Sequence, residues 1–187
     1  MSIREKRLAQ DYEAIRQLTR QSGGTIMIRR STPMPPDEYV LAFRCPGVTG
    51  LTGDTPVIMA RHEVEITLPY GYPRHEPVVS LRTPLFHPNV FPNGRVCLGR
   101  QWMLTEPLSE LVLRIGKVIQ GDPGILNLAS PANRLAARWY EAHQASLPIG
   151  SVAFNGAAPH AEAILAWQEQ AEVIPASTRD TVAWREI

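Results

Sequence analysis

The chain has 187 residues and a net charge of +1, which suits one domain with an appendage and lacks the basic excess of a nucleic-acid binder. Its apolar and charged shares, 44% and 20%, are those of a soluble globular protein, and no apolar run approaches the ~20 residues of a membrane span. The charged start, MSIREKRLAQ, has no hydrophobic segment after it and so no signal peptide, which makes the expected compartment the cytoplasm, with both cysteines reduced.

Residues 4–22 read as a helix, with Leu8, Tyr12, Ile15 and Leu18 on one stripe at helical spacing. Its other face carries Arg4, Lys6, Arg7, Arg16 and Arg20, a pattern that by itself is a solvated face. Four strand-like segments follow at 25–31, 38–45, 57–69 and 77–83, separated by Gly, Pro and Asp as in an antiparallel meander. A long irregular stretch leads to a buried helix over 106–120, where Leu108, Leu111, Ile115 and Val118 share a stripe and Pro107 sits in the first turn. GDPG (121–124) ends it. A further helix is expected over 130–144, with Ser130 as N-cap and Pro131 as first residue. Residues 147–156 read as a linker, 160–174 as a last helix and the rest as a tail. Strands grouped between helices imply an α+β fold. The expected division is a domain over 1–146 and a linker, helix and tail over 147–187 that pack on the domain or extend it.

The stretch His87–Cys97, HPNVFPNGRVC, gathers the candidate chemistry. Pro84, Pro88 and Pro92 fix φ and remove donors, so this is a stiffened loop, and Asn93–Gly94 is a turn signal. A long loop of this kind inside a domain is more often functional than idle. Cys97 follows Gly94 by three residues, between Arg95 and Arg100, and nearby positive charge lowers a thiol's pKa. The bland alternative is that Val-Cys-Leu is an apolar plug and Cys97 a small buried hydrophobe. His87 reads as a general base for Cys97 or, with Pro88 restricting its backbone, as a loop-structuring side chain. Asn89 reads as an oxyanion donor or as an Asx-turn residue. Cys45, at a strand end before Pro46, reads as structural. The two cysteines and five histidines offer no pair at metal-ligand spacing, so no metal is expected.

These residues resemble the ubiquitin-conjugating enzymes. The family's signature is His-Pro-Asn, a turn glycine five residues after the Asn and the catalytic cysteine eight after it; here these are His87-Pro88-Asn89, Gly94 and Cys97. LPYGYPRHEPVVSLRT (68–83), with Tyr72-Pro73 and Pro77, is similar to the family's proline-rich segment. Trp102 and SPANRLAARWYEAH (130–143) are similar to its tryptophan and late helix. The resemblance runs in order over 4–145. It implies a helix, four-stranded antiparallel meander, active-site loop and C-terminal helices. It implies that Cys97 takes a ubiquitin-like protein as a thioester from an activating enzyme and passes it to an amine on a protein acceptor, with no cofactor. Asn89 would support amine attack, Ser130 would gate the lysine's approach, and His87, Pro88 and Gly94 would shape the loop. Arg4, Lys6 and Arg7 would dock the activating enzyme. Arg74, and Met103-Leu104 after Trp102, depart from the family's ligase-docking residues. The sequence resembles the bacterial conjugating enzymes of antiviral, phage-defence operons more closely than the eukaryotic members. Two other readings stand beside this one: a non-catalytic module that binds a ubiquitin-like protein, and a cysteine hydrolase, which needs a histidine in space beside Cys97.

Overall fold

The computed structural model describes residues 2–98, 102–143, 147 and 152–154. Helix α1 (Ile3–Gln21) starts on a capping box. Ser2 Oγ accepts from the Glu5 amide and the Glu5 carboxylate accepts from the Ser2 amide, satisfying two donors that a helix start leaves unpaired. The buried stripe is Leu8, Asp11, Ile15 and Leu18. Asp11 thus takes a core position that the apolar pattern assigns to Tyr12, which is only half-buried.

Six strands follow: β1 (Ile26–Thr32), β2 (Glu38–Phe43), β3 (Gly47–Thr52), β4 (Thr55–Met59), β5 (His62–Thr67) and β6 (Val78–Leu81). The expected four-stranded antiparallel sheet is present, ordered β1-β2-β5-β6. The segment expected as one strand over 57–69 is two: it breaks at Ala60-Arg61, and its first part pairs with β3 in a separate hairpin. That hairpin carries Gly47, Gly50 and Gly53. Val48 on β3 is buried against Trp139 and Tyr140, about 90 residues away, which no local pattern encodes.

Alternation places Tyr39, Leu41 and Phe43 of β2, Val64 and Ile66 of β5, and Val79 and Leu81 of β6 in the core. Helix α2 (Leu108–Gln120) packs there through Leu108, Leu111, Val112, Ile115, Val118 and Ile119. Each such side chain, fully buried, contributes about 1.5–3 kcal/mol. Pro107 is the residue before α2, with extended backbone, and Gly121 ends the helix in the left-handed region at φ 69°, as a glycine C-cap does.

Helix α3 (Arg134–His143) begins three residues later than the Ser130–Pro131 signal suggests. Asn133 is its cap: Oδ1 accepts from the Ala136 amide at 3.1 Å and the carbonyl accepts from the Ala137 amide at 3.0 Å. The Ala132 and Asn133 amides are already committed to the Pro88 carbonyl, so helical bonding starts only after them.

Val152 and Phe154 lie past the expected domain end, yet both are in the main core. Gln120 accepts from the Val152 amide at 2.9 Å and donates to its carbonyl at 3.0 Å. Phe154 meets Phe43 edge-on at 6.1 Å and lies over Gly116, where a Cβ would come within 2.4 Å of its ring. The domain core therefore draws on residues assigned above to the linker. The helix expected at 160–174 and the tail lie outside the described residues.

Candidate active site

The loop carrying Cys97 is laid along the free edge of β6. The Leu81 amide donates to the Gly94 carbonyl and the Val96 amide to the Val79 carbonyl, both at 2.9 Å. Gly94 has φ +83°, and a Cβ on it would lie 2.8 Å from the Leu81 carbonyl oxygen. Conformation and space both demand glycine there. The turn closes through Asn93, whose Oδ1 accepts from the Arg95 amide at 3.0 Å, and the Cys97 amide donates to the Asn89 carbonyl at 2.7 Å. Val96 is thus fixed to the sheet and Cys97 to the His-Pro-Asn turn. The Cys97 thiol is free and half-buried, whereas Cys45 is buried and desolvation pushes its thiol's pKa well up. An exposed enough thiol on a rigid loop is the arrangement a nucleophile needs; Cys45 is the structural residue expected. Arg95 is exposed, and Arg100 lies outside the described residues.

His87 is fully buried. Its Nδ1 accepts from the Asn89 amide at 3.0 Å, so the ring is neutral with its proton on Nε2, and it stands edge-on to Tyr140 at 5.2 Å. Burial lowers its pKa to about 3. With its accepting nitrogen occupied by main chain, His87 offers no free base toward Cys97. The Pro88 carbonyl accepts from the Ala132 and Asn133 amides at 2.8 and 3.1 Å, which joins the loop to the approach of α3.

Asn89 is 2% exposed, and its amide reaches across to the segment after α2. Nδ2 donates to the Ile125 carbonyl at 2.8 Å and Oδ1 accepts from the Asn127 amide at 2.9 Å. This is no Asx-turn within its own loop: Asn89 braces two loops against each other. Ser130 is exposed on the arch between these contacts and α3. Asn127, which sequence reasoning passed over, holds it: Oδ1 accepts from the Ser130 amide at 3.0 Å and Nδ2 donates to the Ser130 carbonyl at 2.8 Å. Cys97, Asn89 and Ser130 therefore belong to one bonded assembly. The only sequence cue to Asn127 is its place between GDPG and Ser130.

The basic residues of α1 divide. Arg7 is turned inward: Nε donates to Asp11 at 2.7 Å, the two terminal nitrogens donate to the Leu104 and Glu106 carbonyls, and the guanidinium lies over the Tyr72 ring at 5.3 Å. Asp11 also accepts from the Tyr72 hydroxyl at 2.5 Å and from the Leu108 amide at 3.0 Å, so α1 supplies the cap that Pro107 cannot give α2. Arg4 pairs with Asp37 at 2.8 Å. Lys6 remains exposed. Of the three basic residues expected to dock a partner, Lys6 is exposed, Arg4 is part-exposed in its pair with Asp37, and Arg7 is turned onto two main-chain carbonyls and the buried Asp11 carboxylate. Trp102 donates from Nε1 to the Pro73 carbonyl at 2.7 Å, and Met103 and Leu104 are more than half exposed.

Among the described residues no helix is long and apolar enough to cross a membrane, and no group of three or more His, Cys, Asp or Glu residues is placed to hold a metal ion. A family model described as ubiquitin-conjugating enzyme matches residues 47–147, which hold Cys97, Asn89, Gly94, Asn127 and Ser130 together. The chain belongs to the ubiquitin-conjugating enzyme family. Curated relatives include proteins named ubiquitin-conjugating enzyme E2 2. That of Candida albicans is 31% identical over 94 residues, 49% of this chain and 50% of the relative. That of Debaryomyces hansenii is 32% identical over 94 residues, 49% and 54%, and that of Mycosarcoma maydis 33% over 90 residues, 46% of each. The chain spans about half the length of these relatives. Val152 and Phe154 lie past the end of the family match, although the fold buries them.

Proposed function

We propose that this member of the ubiquitin-conjugating family is a thioester-carrying transferase for a ubiquitin-like protein, with Cys97 as the carrier. The observation that carries the reading is the fixing of a half-buried free thiol between β6 and the Asn89 carbonyl, with His87 occupied by main chain. In the first step the Cys97 thiolate attacks the C-terminal carbonyl carbon of an activated donor; a C–S bond forms and the donor's leaving group departs. In the second an acceptor amine attacks the thioester, the new C–N bond replaces the C–S bond, the Cys97 thiolate leaves and solvent takes the amine proton. A thiolate is a good leaving group, so the site needs to position the amine and stabilise the oxyanion. It gains nothing from a strong base beside Cys97, which would also activate water against the thioester. The neutral, enclosed His87 fits a carrier better than a hydrolase. The free thiol at the family's spacing favours catalysis over a binding module that holds its partner without a covalent bond.

In this reading Asn89 supports amine attack, Ser130 borders the amine's approach, and Lys6, exposed on α1, meets an activating enzyme. An intracellular setting, with an activating enzyme and a protein acceptor as partners, belongs to the same proposal. The test uses ubiquitin carrying a C-terminal mercaptoethanesulfonate thioester, which dispenses with an activating enzyme. A reductant-sensitive adduct is expected on the wild type, absent from Cys97→Ala and retained in Cys45→Ala, and consumed by added lysine faster than by water. An adduct that persists in Cys97→Ala, or that water clears as fast as lysine does, overturns the assignment.

A further inference from the structure

The segment 127–133 is an arch with both feet on the catalytic loop. At one end Asn89 Oδ1 accepts from the Asn127 main-chain amide. At the other the Pro88 carbonyl accepts from the Ala132 and Asn133 amides. Ser130 sits at the crown and is exposed. Its two main-chain groups both go to the Asn127 side chain, at 3.0 and 2.8 Å. The feet would therefore survive loss of the Asn127 side chain, since they use main-chain groups, but the crown would lose both of its bonds. We propose that Asn127 is a positioning residue for acceptor attack: its amide is the cross-brace that holds Ser130 fixed on the arch bonded to the loop of Asn89 and Cys97. This role rests on the thioester reading above.

Positioning of a reacting amine is sensitive to small shifts; a displacement of about 1 Å costs up to 10²-fold in rate. Asn127→Ala is expected to load from the ubiquitin thioester at the wild-type rate, because Cys97, its amide bond to Asn89 and the β6 contacts do not involve the 127 side chain. Its discharge to lysine should slow by about 10- to 100-fold, with the loss seen in the concentration of lysine needed as well as in the limiting rate. Asn127→Asp keeps the acceptor for the Ser130 amide and loses the donor to the Ser130 carbonyl, so its discharge should fall between the two. Ser130→Ala combined with Asn127→Ala should discharge no more slowly than the slower single variant, because both act through one position. A purely structural role would give multiplied losses, and loading would weaken alongside discharge. Amide exchange at Ser130 in the free protein should quicken in Asn127→Ala. Normal loading with wild-type discharge in Asn127→Ala overturns the positioning role and leaves Cys97 as the carrier; unchanged exchange at Ser130 overturns the brace itself. A wild-type protein that forms no Cys97 adduct overturns the thioester reading and this role with it.

Discussion

Asn89→Ala separates bracing from catalysis. The substitution removes two hydrogen bonds at once, to the Ile125 carbonyl and from the Asn127 amide, at a side chain that is 2% exposed. A net hydrogen bond is worth about 1 kcal/mol, and a partner left buried without replacement costs about 1–3 kcal/mol. The Asn127 amide and Ile125 carbonyl are only partly enclosed, so water satisfies them in part and a loss of about 2–3 kcal/mol is expected in urea unfolding. If the same amide also steadies the oxyanion during amine attack, discharge of the thioester should fall by a further 10²–10³-fold. Loading should stay within a few-fold of wild type, because the Asn89 carbonyl that holds the Cys97 amide is main chain and remains. Single-turnover discharge to lysine, measured at a temperature where the variant is fully folded, reads the catalytic part; the unfolding curve reads the brace. A variant that is as stable as wild type refutes the hydrogen-bond argument, and one that discharges normally removes Asn89 from the chemistry.

Three further outcomes are expected. Charge reversal at Lys6 should slow loading by an activating enzyme more at low salt than at high salt, as an exposed encounter charge does, whereas Arg7→Glu should lower stability by about 3–5 kcal/mol by removing the cation that balances buried Asp11, setting a second carboxylate against it and leaving two carbonyls without their donor; unfolding and loading measured side by side on the two variants check the division. His62 and His87 have folded-state pKa values lowered by burial to about 4 and about 3, below the 6.5 of an unfolded histidine. Unfolding therefore takes up protons between those values, so the stability present above pH 6.5 is lost as pH falls, by up to roughly 2.7 kcal/mol per pH unit near pH 5 for the two together; a flat profile in urea unfolding between pH 6.5 and 5 would contradict their burial as neutral rings. Phe154→Ala should cost about 3–5 kcal/mol, and Gly116→Ala should destabilise the wild type but not the Phe154→Ala protein, a non-additivity that a double-mutant cycle measures directly.

The sequence by itself determined the elements whose causes are local. Helical spacing, strand alternation and turn glycines located α1, β1, β2, β6 and α2 to within a few residues and found β5 merged with β4, because each depends on neighbours along the chain. The spacing His87, Asn89, Gly94 and Cys97 was legible for the same reason: a turn glycine and two flanking contacts act over ten residues. Only the tertiary structure decided what each side chain does. Asp11 lies on an apolar stripe and is a polar node because Tyr72 and Leu108 meet it from 61 and 97 residues away. Arg7 looks like a surface charge until the carbonyls of Leu104 and Glu106 arrive. Ser130 has the chemistry of a cap, but Asn133 is the cap because Pro88 engages the main chain between them. The β3–β4 hairpin and Phe154 take their places from Trp139, Tyr140 and Gly116. In each case the deciding partner is distant in sequence, and burial of a polar group or a large ring is favourable only once that partner has closed around it.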